Sequence, residues 1–421
     1  MSSKPREPLI DDARARRCLC GTLRSLVILL AVVLSFPLAA AESPQSRQTE
    51  VWLVTYGPGE IYWQRFGHNA IWVRDVGLGL DHVFNFGFFD FQQENFFLRF
   101  LQGRMQYFSA AREARVEFAD YINENRSIRA QRLDLSEQQK LGLIEYLLEE
   151  VTPQNRDYLY DYYVNNCSTR VRDAIDLAMD GLLKREFQPF DATLTWRDQT
   201  RRLTAEDFWL YLGLEIGLGS PTDRVISRWD EMFIPADFAD ALASVTYSGG
   251  EFTRPLVLED VVLYQSSLEP PPASPMAWWP GYLLASLGLV FSAWLLCHFL
   301  PWPLARGISR AWLVVSGAVG LVLLFLWLGT DHWASGLNVN LLVFFPVLMF
   351  LPFWKGREKI SLLLVSGLSL LALAMIFLPP HQYNLDVLAA FLPLNLAAAL
   401  GLFRSRTSLA MQPGVPATVD R

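Results

Sequence analysis

Paired cysteines are missing from this sequence. Its four cysteines, Cys18, Cys20, Cys167 and Cys297, form no CxxC spacing, which excludes a structural zinc finger and a disulfide-stapled fold. There is no HExxH and no clustered Asp/Glu pattern, so no metal and no other cofactor is expected. Charged residues make up only 19% and apolar ones 52% of the 421 residues, a balance unlike that of a disordered chain. Basic residues are short where a nucleic-acid binder needs them. From Glu42 to Trp278 there are 22 against 36 acidic ones, a net charge of −14, and such a surface repels phosphate backbones.

What is present is unevenly distributed. Six basic residues (Lys4, Arg6, Arg14, Arg16, Arg17, Arg24) precede an apolar run of 13 residues from Leu26 to Leu38 and then Ala39-Ala40-Ala41. This is the pattern of a secretory signal over 1–41; the run falls short of the ~20 residues of a comfortable span, and an uncleaved anchor is the alternative. Residues 42–275 then read as an exported domain. Beyond Pro270-Pro271-Pro272, apolar segments recur at about 281–300, 311–328, 341–353, 360–378 and 385–403, which predicts a five-helix transmembrane domain over 276–405 and a cytoplasmic tail, 406–421. Arg306, Arg310, Lys355, Arg357, Lys359, Arg404 and Arg406 fall in alternate connections, whereas 329–340 and 379–384 contain no Lys or Arg. The positive-inside rule therefore places the exported domain and both charge-poor loops on one face of the membrane, the outer one.

Those two loops resemble each other. Asp331-His332 precedes Asn338 and Asn340, and His381 precedes Asn384 and Asp386. One reading is helix capping; the other is a polar, substrate-binding pocket at headgroup level formed by His332, Asn338, Asn340, His381, Asn384 and Asp386.

The chemistry-bearing residues lie in the exported domain. Ala70-Ile71-Trp72-Val73 and His82-Val83-Phe84-Asn85-Phe86 read as strands. Ser136-x-x-Gln139 opens a helix running to about Glu150, and Asn165 or Asn166 caps a second one that begins at Cys167. Cys167 is the one cysteine of the exported domain. At a helix N-terminus, with Arg170 one turn on, its thiolate is favoured, although a lone cysteine also serves as a small buried hydrophobe. His68 heads a strand beside Gly67. A cysteine at a helix start with a histidine on a neighbouring strand is a thiol-nucleophile arrangement, and Asn85, one strand on, is placed to hold the imidazole tautomer.

The blocks Phe66-Gly67-His68-Asn69-Ala70-Ile71, Val83-Phe84-Asn85-Phe86-Gly87 and Tyr162-Tyr163-Val164-Asn165-Asn166-Cys167-Ser168-Thr169-Arg170 resemble a circularly permuted papain-like domain of the NlpC/P60 and lecithin:retinol acyltransferase-like kind, in which His precedes Cys. With five membrane helices behind it, the chain is similar to the Lnb family of bacterial lipoprotein N-acyltransferases. The resemblance implies an α+β thiol domain followed by an all-α membrane domain, with Cys167 as nucleophile and His68 as base; Asn85 is placed as the orienting residue by its strand position, and Arg170 is a candidate substrate-binding residue. The resemblance also implies a phospholipid acyl donor, a diacylglyceryl-modified lipoprotein acceptor and the membrane as partners. The alternatives are a papain-like amidase or peptidase acting on cell-wall peptides and a non-catalytic membrane-anchored assembly protein. If a phospholipid is the donor, the Cys167 site should open toward the outer ends of the membrane helices, with the aromatic stretch Phe84 to Phe97 as acyl channel, and Cys167 and His68 should approach hydrogen-bond reach.

Overall fold

The computed structural model describes residues 49–410 apart from 78, 250, 251, 297, 298, 300, 301 and 355. The signal segment, Cys297, Lys355 and the tail after 410 lie outside the described residues.

Three strands open the domain, β1 (Glu50–Tyr56), β2 (His68–Asp75) and β3 (Leu80–Phe88); then come α1 (Phe96–Gln102), β4 (Gln106–Glu113), α2 (Ala114–Asn123), β5 (Ile128–Leu133), α3 (Glu137–Glu150), β6 (Asp157–Leu159) and α4 (Cys167–Ala178). The helices α5 (Leu182–Phe187), α6 (Trp196–Thr204), α7 (Phe208–Gly217), α8 (Arg228–Glu231) and α9 (Pro235–Ser244) follow, with a small hairpin of β7 (Thr246–Gly249) and β8 (Phe252–Pro255) and a last strand, β9 (Val257–Tyr264). Seven strands form one sheet in the order β6-β4-β3-β2-β1-β5-β9. β9 thus returns to the far edge beside β5, and the chain from 181 to 264 closes on the same sheet.

Both faces of the sheet are covered, so the central strands are buried throughout. Alternation sorts them: Leu53, Ile71, Phe84 and Phe86 face Val171 and Ile175 of α4 and Leu143 and Leu147 of α3, while Val54, Tyr56, Ala70 and Val83 face Ala114, Phe118 and Tyr121 of α2. Helix starts are chemically fixed. Ser136 and Gln139 form a capping box on α3, and Asn166 and Thr169 form another on α4, with Asn166 Oδ1 accepting from the Thr169 N–H at 2.9 Å. Such a cap is worth ~1 kcal/mol and sets Cys167 as the first helical residue.

The membrane part contains α10 (Trp279–Leu296), α11 (Trp302–Gly329), α12 (Glu358–Ala374) and α13 (Leu385–Ala410). α10 and the Arg306–Gly329 part of α11 are long and apolar enough to cross a bilayer. The third apolar segment corrects the expectation of a regular helix. It is a string of 3-10 turns, Val339–Leu342, Pro346–Met349 and Leu351–Phe353. Pro346 and Pro352 remove donors and clash with a continuing helix. The irregular backbone is packed against protein at Asn340, Val343, Phe344, Leu348 and Leu351, which are buried, and such structure is tolerated at membrane depth where protein covers it. Asn395 Nδ2 donates to the Val343 carbonyl at 2.8 Å. On α11, Gly320 lies so close to this segment that a Cβ there would stand 1.5 Å from the Phe344 oxygen, so only glycine allows that packing.

Candidate functional site

β2 begins at His68 because Gly67, at φ +80, turns the chain into the strand and meets the Tyr56 carbonyl at a distance only glycine permits. Across the β2–β3 pairing, His68 Nε2 lies 2.9 Å from Asn85 Oδ1. The Asn85 amide donates from Nδ2 to Glu117 Oε2 at 2.8 Å and to the Val83 carbonyl at 3.2 Å, so its oxygen must face the imidazole. Nε2 therefore carries the proton and Nδ1 is left as the basic nitrogen. Behind this pair, Tyr56 donates to Glu117 Oε1 at 2.7 Å, and the Tyr56 ring stacks beside His68 with centroids 5.8 Å apart.

Cys167 is a free thiol, half-buried at the start of α4. Its Cβ packs on β3 at Gly87, where an added Cβ would lie 3.4 Å away and where φ is +98. Ser168, next along, ties the helix start to the histidine strand, its Oγ lying 2.7 Å from Asn69 Oδ1 and 2.6 Å from the Met232 carbonyl. The backbone N–H groups of Asn69 and Ser168 donate toward the Cys167 sulfur. The residue following His68 thus touches the thiol.

The electrostatics correct one expectation. Burial pushes the Cys167 thiol up, and the N–H groups and Arg126 only partly offset it; burial likewise pushes His68 down to about 4, with the Asn85 bond opposing and Arg126 adding to the effect. Desolvation is the largest cause of both shifts, and it favours the neutral thiol and the neutral imidazole. Arg170 does not face the thiol. It bonds Glu150 at 2.5 Å and lies over the Tyr158 ring at 4.2 Å, while Arg126 is the cation beside the site. Glu117, fully buried, is pushed up to about 7 by burial, against the bonds from Tyr56 and Asn85.

Cys167 and His68 line a cavity of about 1130 Å³, larger than the ~300–1,000 Å³ of ordinary small-molecule sites. Phe88, Phe89, Phe91, Phe96, Phe97 and Phe100 form much of its wall, and it reaches Leu210 and Leu214 of α7 and Leu326 of α11. Phe84 and Phe86 do not line it; both are in the sheet core. Of the outer-loop residues, His332 lines the cavity, bonding Tyr162 through Nδ1 and the Phe100 carbonyl at 2.9 Å through Nε2.

The other five outer-loop candidates, Asn338, Asn340, His381, Asn384 and Asp386, stand apart from the cavity. Asn338 donates to the Ile216 and Gly217 carbonyls, Asn340 to those of Glu215 and Ile216, and Asn384 to Asn340 Oδ1. They satisfy the orphan carbonyls at the end of α7. Asp386 accepts from Arg201 and Tyr211, each at 2.6 Å, and His381 is exposed. Sequence reasoning did not find Glu117, Tyr56 or Arg126. The signal for Glu117 was a lone carboxylate on the apolar stripe Ala114, Glu117, Phe118, Tyr121.

An α+β domain on the outer face, joined to a helical membrane domain, is the class that this fold defines. Residues 38–202 match the Lnb N-terminal periplasmic domain and residues 275–408 the Lnb transmembrane domain. The chain belongs to the Lnb family and is an inner-membrane protein whose N-terminal domain is periplasmic. No curated protein and no solved structure matches it.

Proposed function

We propose that the protein is a thiol-dependent acyltransferase that moves a fatty acyl chain from a phospholipid to the N-terminal amine of a lipid-modified lipoprotein. The observation that carries this reading is the shared cavity: Cys167 and His68 stand in the same aromatic-walled space that reaches α11 at Leu326. His68 Nδ1 takes the thiol proton as sulfur attacks the ester carbonyl carbon. The first-turn N–H groups of α4 at Cys167 and Ser168 stabilise the oxyanion. The tetrahedral adduct collapses with cleavage of the ester C–O bond, the lysolipid oxygen takes the proton from His68, and a thioester remains.

In the second half, the free amine attacks the thioester, its proton passes to His68, and the C–S bond breaks. An amide forms and the thiolate regains the proton. A neutral Cys–His pair suits a site fed with hydrocarbon, because charge appears only when the ester is in place. Substrates confined to the bilayer gain proximity from a thiol fixed at its surface.

The test uses full-length protein in vesicles of phospholipid bearing a labelled acyl chain, with a diacylglyceryl-cysteine peptide as acceptor. A hydroxylamine-labile label on the protein, a lysolipid and an N-acylated peptide are expected, all absent with Cys167→Ala. Transfer by that variant would overturn the assignment, and release of wall peptides without lysolipid would favour an amidase.

A further inference from the structure

Two short helices of the periplasmic domain carry more exposed apolar surface than an aqueous setting tolerates. In α1, Phe96, Phe97 and Phe100 line the Cys167 cavity, while Leu98 and Leu101 point outward and are half-exposed. In α7, Leu210 and Leu214 line the cavity, while Phe208 and Trp209 point outward, Trp209 with 78% of its surface exposed. Each helix carries a single charged residue, and neither stands alone: Arg99 of α1, half-buried, bonds Gln106, and Glu215 of α7 is buried beside Arg201 at 3.3 Å. Contiguous apolar surface of this kind marks a contact with lipid or protein.

The fold says at what level these helices sit. The α1 end meets the outer end of α11 directly, the Asp331 N–H donating to the Gln102 carbonyl at 2.8 Å and Arg104 pairing with Asp331 at 2.6 Å. The α7 end goes deeper. Ile216 packs in the cluster of Leu323, Val343, Val387 and Leu388, and Leu323 is six residues, roughly 9 Å, below the end of α11 at Gly329. Phe208 also packs against Tyr282 of α10. The cavity passes between α1, α7 and α11, since all three contribute wall residues.

We infer that α1 and α7 are immersed in the outer leaflet and form the two sides of a lateral portal, through which a lipid acyl chain passes from the bilayer to the Cys167 cavity. A re-entrant α7 is stable there because its end carbonyls are bonded by Asn338 and Asn340, which satisfies backbone that lipid could not. Trp209 suits the headgroup boundary. The immersion stands on these contacts alone; the use of the portal rests on the acyl-transfer reading above.

The experiment places a photoreactive phenylalanine analogue at Leu98, at Trp209 and, as a control, at Leu141, an exposed leucine on α3, in the full-length protein in labelled phospholipid vesicles. Lipid adducts at 98 and 209 at least tenfold above those at 141 are expected; equal labelling at all three overturns the immersion. A second arm compares Leu98→Glu/Trp209→Glu with wild type. Thioester formation from bilayer phospholipid should fall at least tenfold while that from a short-chain soluble ester is unchanged. If bilayer transfer persists at the wild-type rate, the portal is refuted. If the wild type forms no thioester from either donor but position 209 still labels lipid, the acyl-transfer reading fails and the immersed surface remains.

Discussion

The protein buries charge in two places and treats it in opposite ways. Where the periplasmic helices meet the membrane bundle, Arg197 and Arg201 of α6 hold three carboxylates: Glu215 lies 3.8 and 3.3 Å from the two arginines, Asp223 2.8 Å from Arg197 and Asp386 2.6 Å from Arg201. Arg197, Arg201, Glu215 and Asp386 are almost wholly buried, and Asp223 keeps 9% of its side chain exposed. Behind His68, by contrast, Glu117 is held by two neutral donors, Tyr56 and Asn85. Ion pairing makes the first cluster a fixed clasp. The second holds a carboxylate through neutral hydrogen bonds, and that carboxylate is connected through one amide to the proposed base. Equal burial thus yields an ion-paired clasp where arginines make the contacts and a hydrogen-bonded support for the imidazole where neutral donors make them.

The largest effect should come from breaking the clasp. Arg201→Met leaves Asp386 and Glu215 buried without their nearest cation, and removing one partner of a buried pair costs ~3–5 kcal/mol. Thermal melting in detergent should show a lower unfolding temperature or loss of folded protein. A change smaller than ~1 kcal/mol would mean that the clasp is not the joint between the two domains. Replacing Arg201 and Asp386 together by apolar residues should restore part of the loss.

The contrast between clasp and relay was only half legible in the sequence. Cys167 and His68 stood out because few residues of their kind occur in the exported segment, and Asn85 because strand and helix signals gave the order of the three. The Ser136 and Asn166 caps were readable from local chemistry alone. Glu117 was not, since it is one of many acidic residues and reaches Asn85 only after α2 packs on the sheet face. The clasp was hidden for the same reason: Arg201 and Asp386 are 185 residues apart. Asp386 and the loop asparagines were visible as unusual polar residues at membrane level, but sequence could not separate a substrate pocket from an interdomain seal. The third membrane segment showed its prolines, and the turns they produce depend on close packing against Gly320.

A smaller effect is expected at Glu117. Glu117→Gln keeps the shape but has one acceptor oxygen in place of two and no charge, so Asn85 loses the charged acceptor that holds its amide. An oxygen no longer held toward His68 Nε2 leaves the tautomer undefined. Thioester formation should drop by about 10- to 100-fold, the worth of one charge-assisted hydrogen bond, with apparent substrate affinity little changed. A wild-type rate in this variant would make Glu117 a core residue with no link to the base. Around it stand Tyr56 of β1, Asn85 of β3, Arg112 of β4, and Asp120 and Tyr121 of α2; a pH step in the rate near 7 that the wild type shows and Glu117→Gln lacks belongs to Glu117.

The smallest effect is on stability as a function of pH, and it separates the two members of the relay by sign. His68 is lowered from 6.5 to about 4, so between those values the unfolded chain binds more protons, and stability rises with pH across that window. Glu117 is raised from 4.5 to about 7, so the folded chain binds more protons between those values, and stability falls as pH rises. The windows overlap from 4.5 to 6.5, where the two slopes oppose each other. Each is at most ~1.4 kcal/mol per pH unit; Glu215, also raised by burial to about 7, adds a slope of Glu117's sign that both variants keep. Relative to wild type, Glu117→Gln should therefore gain stability as pH rises from 4.5 to 7, and His68→Ala should lose it as pH rises from 4 to 6.5. Denaturation midpoints of the two variants across pH 4 to 8 provide the check. Parallel curves would mean that one of the groups keeps its ordinary proton affinity in the folded protein, and the relay would lose the buried, unpaired carboxylate that distinguishes it from the clasp.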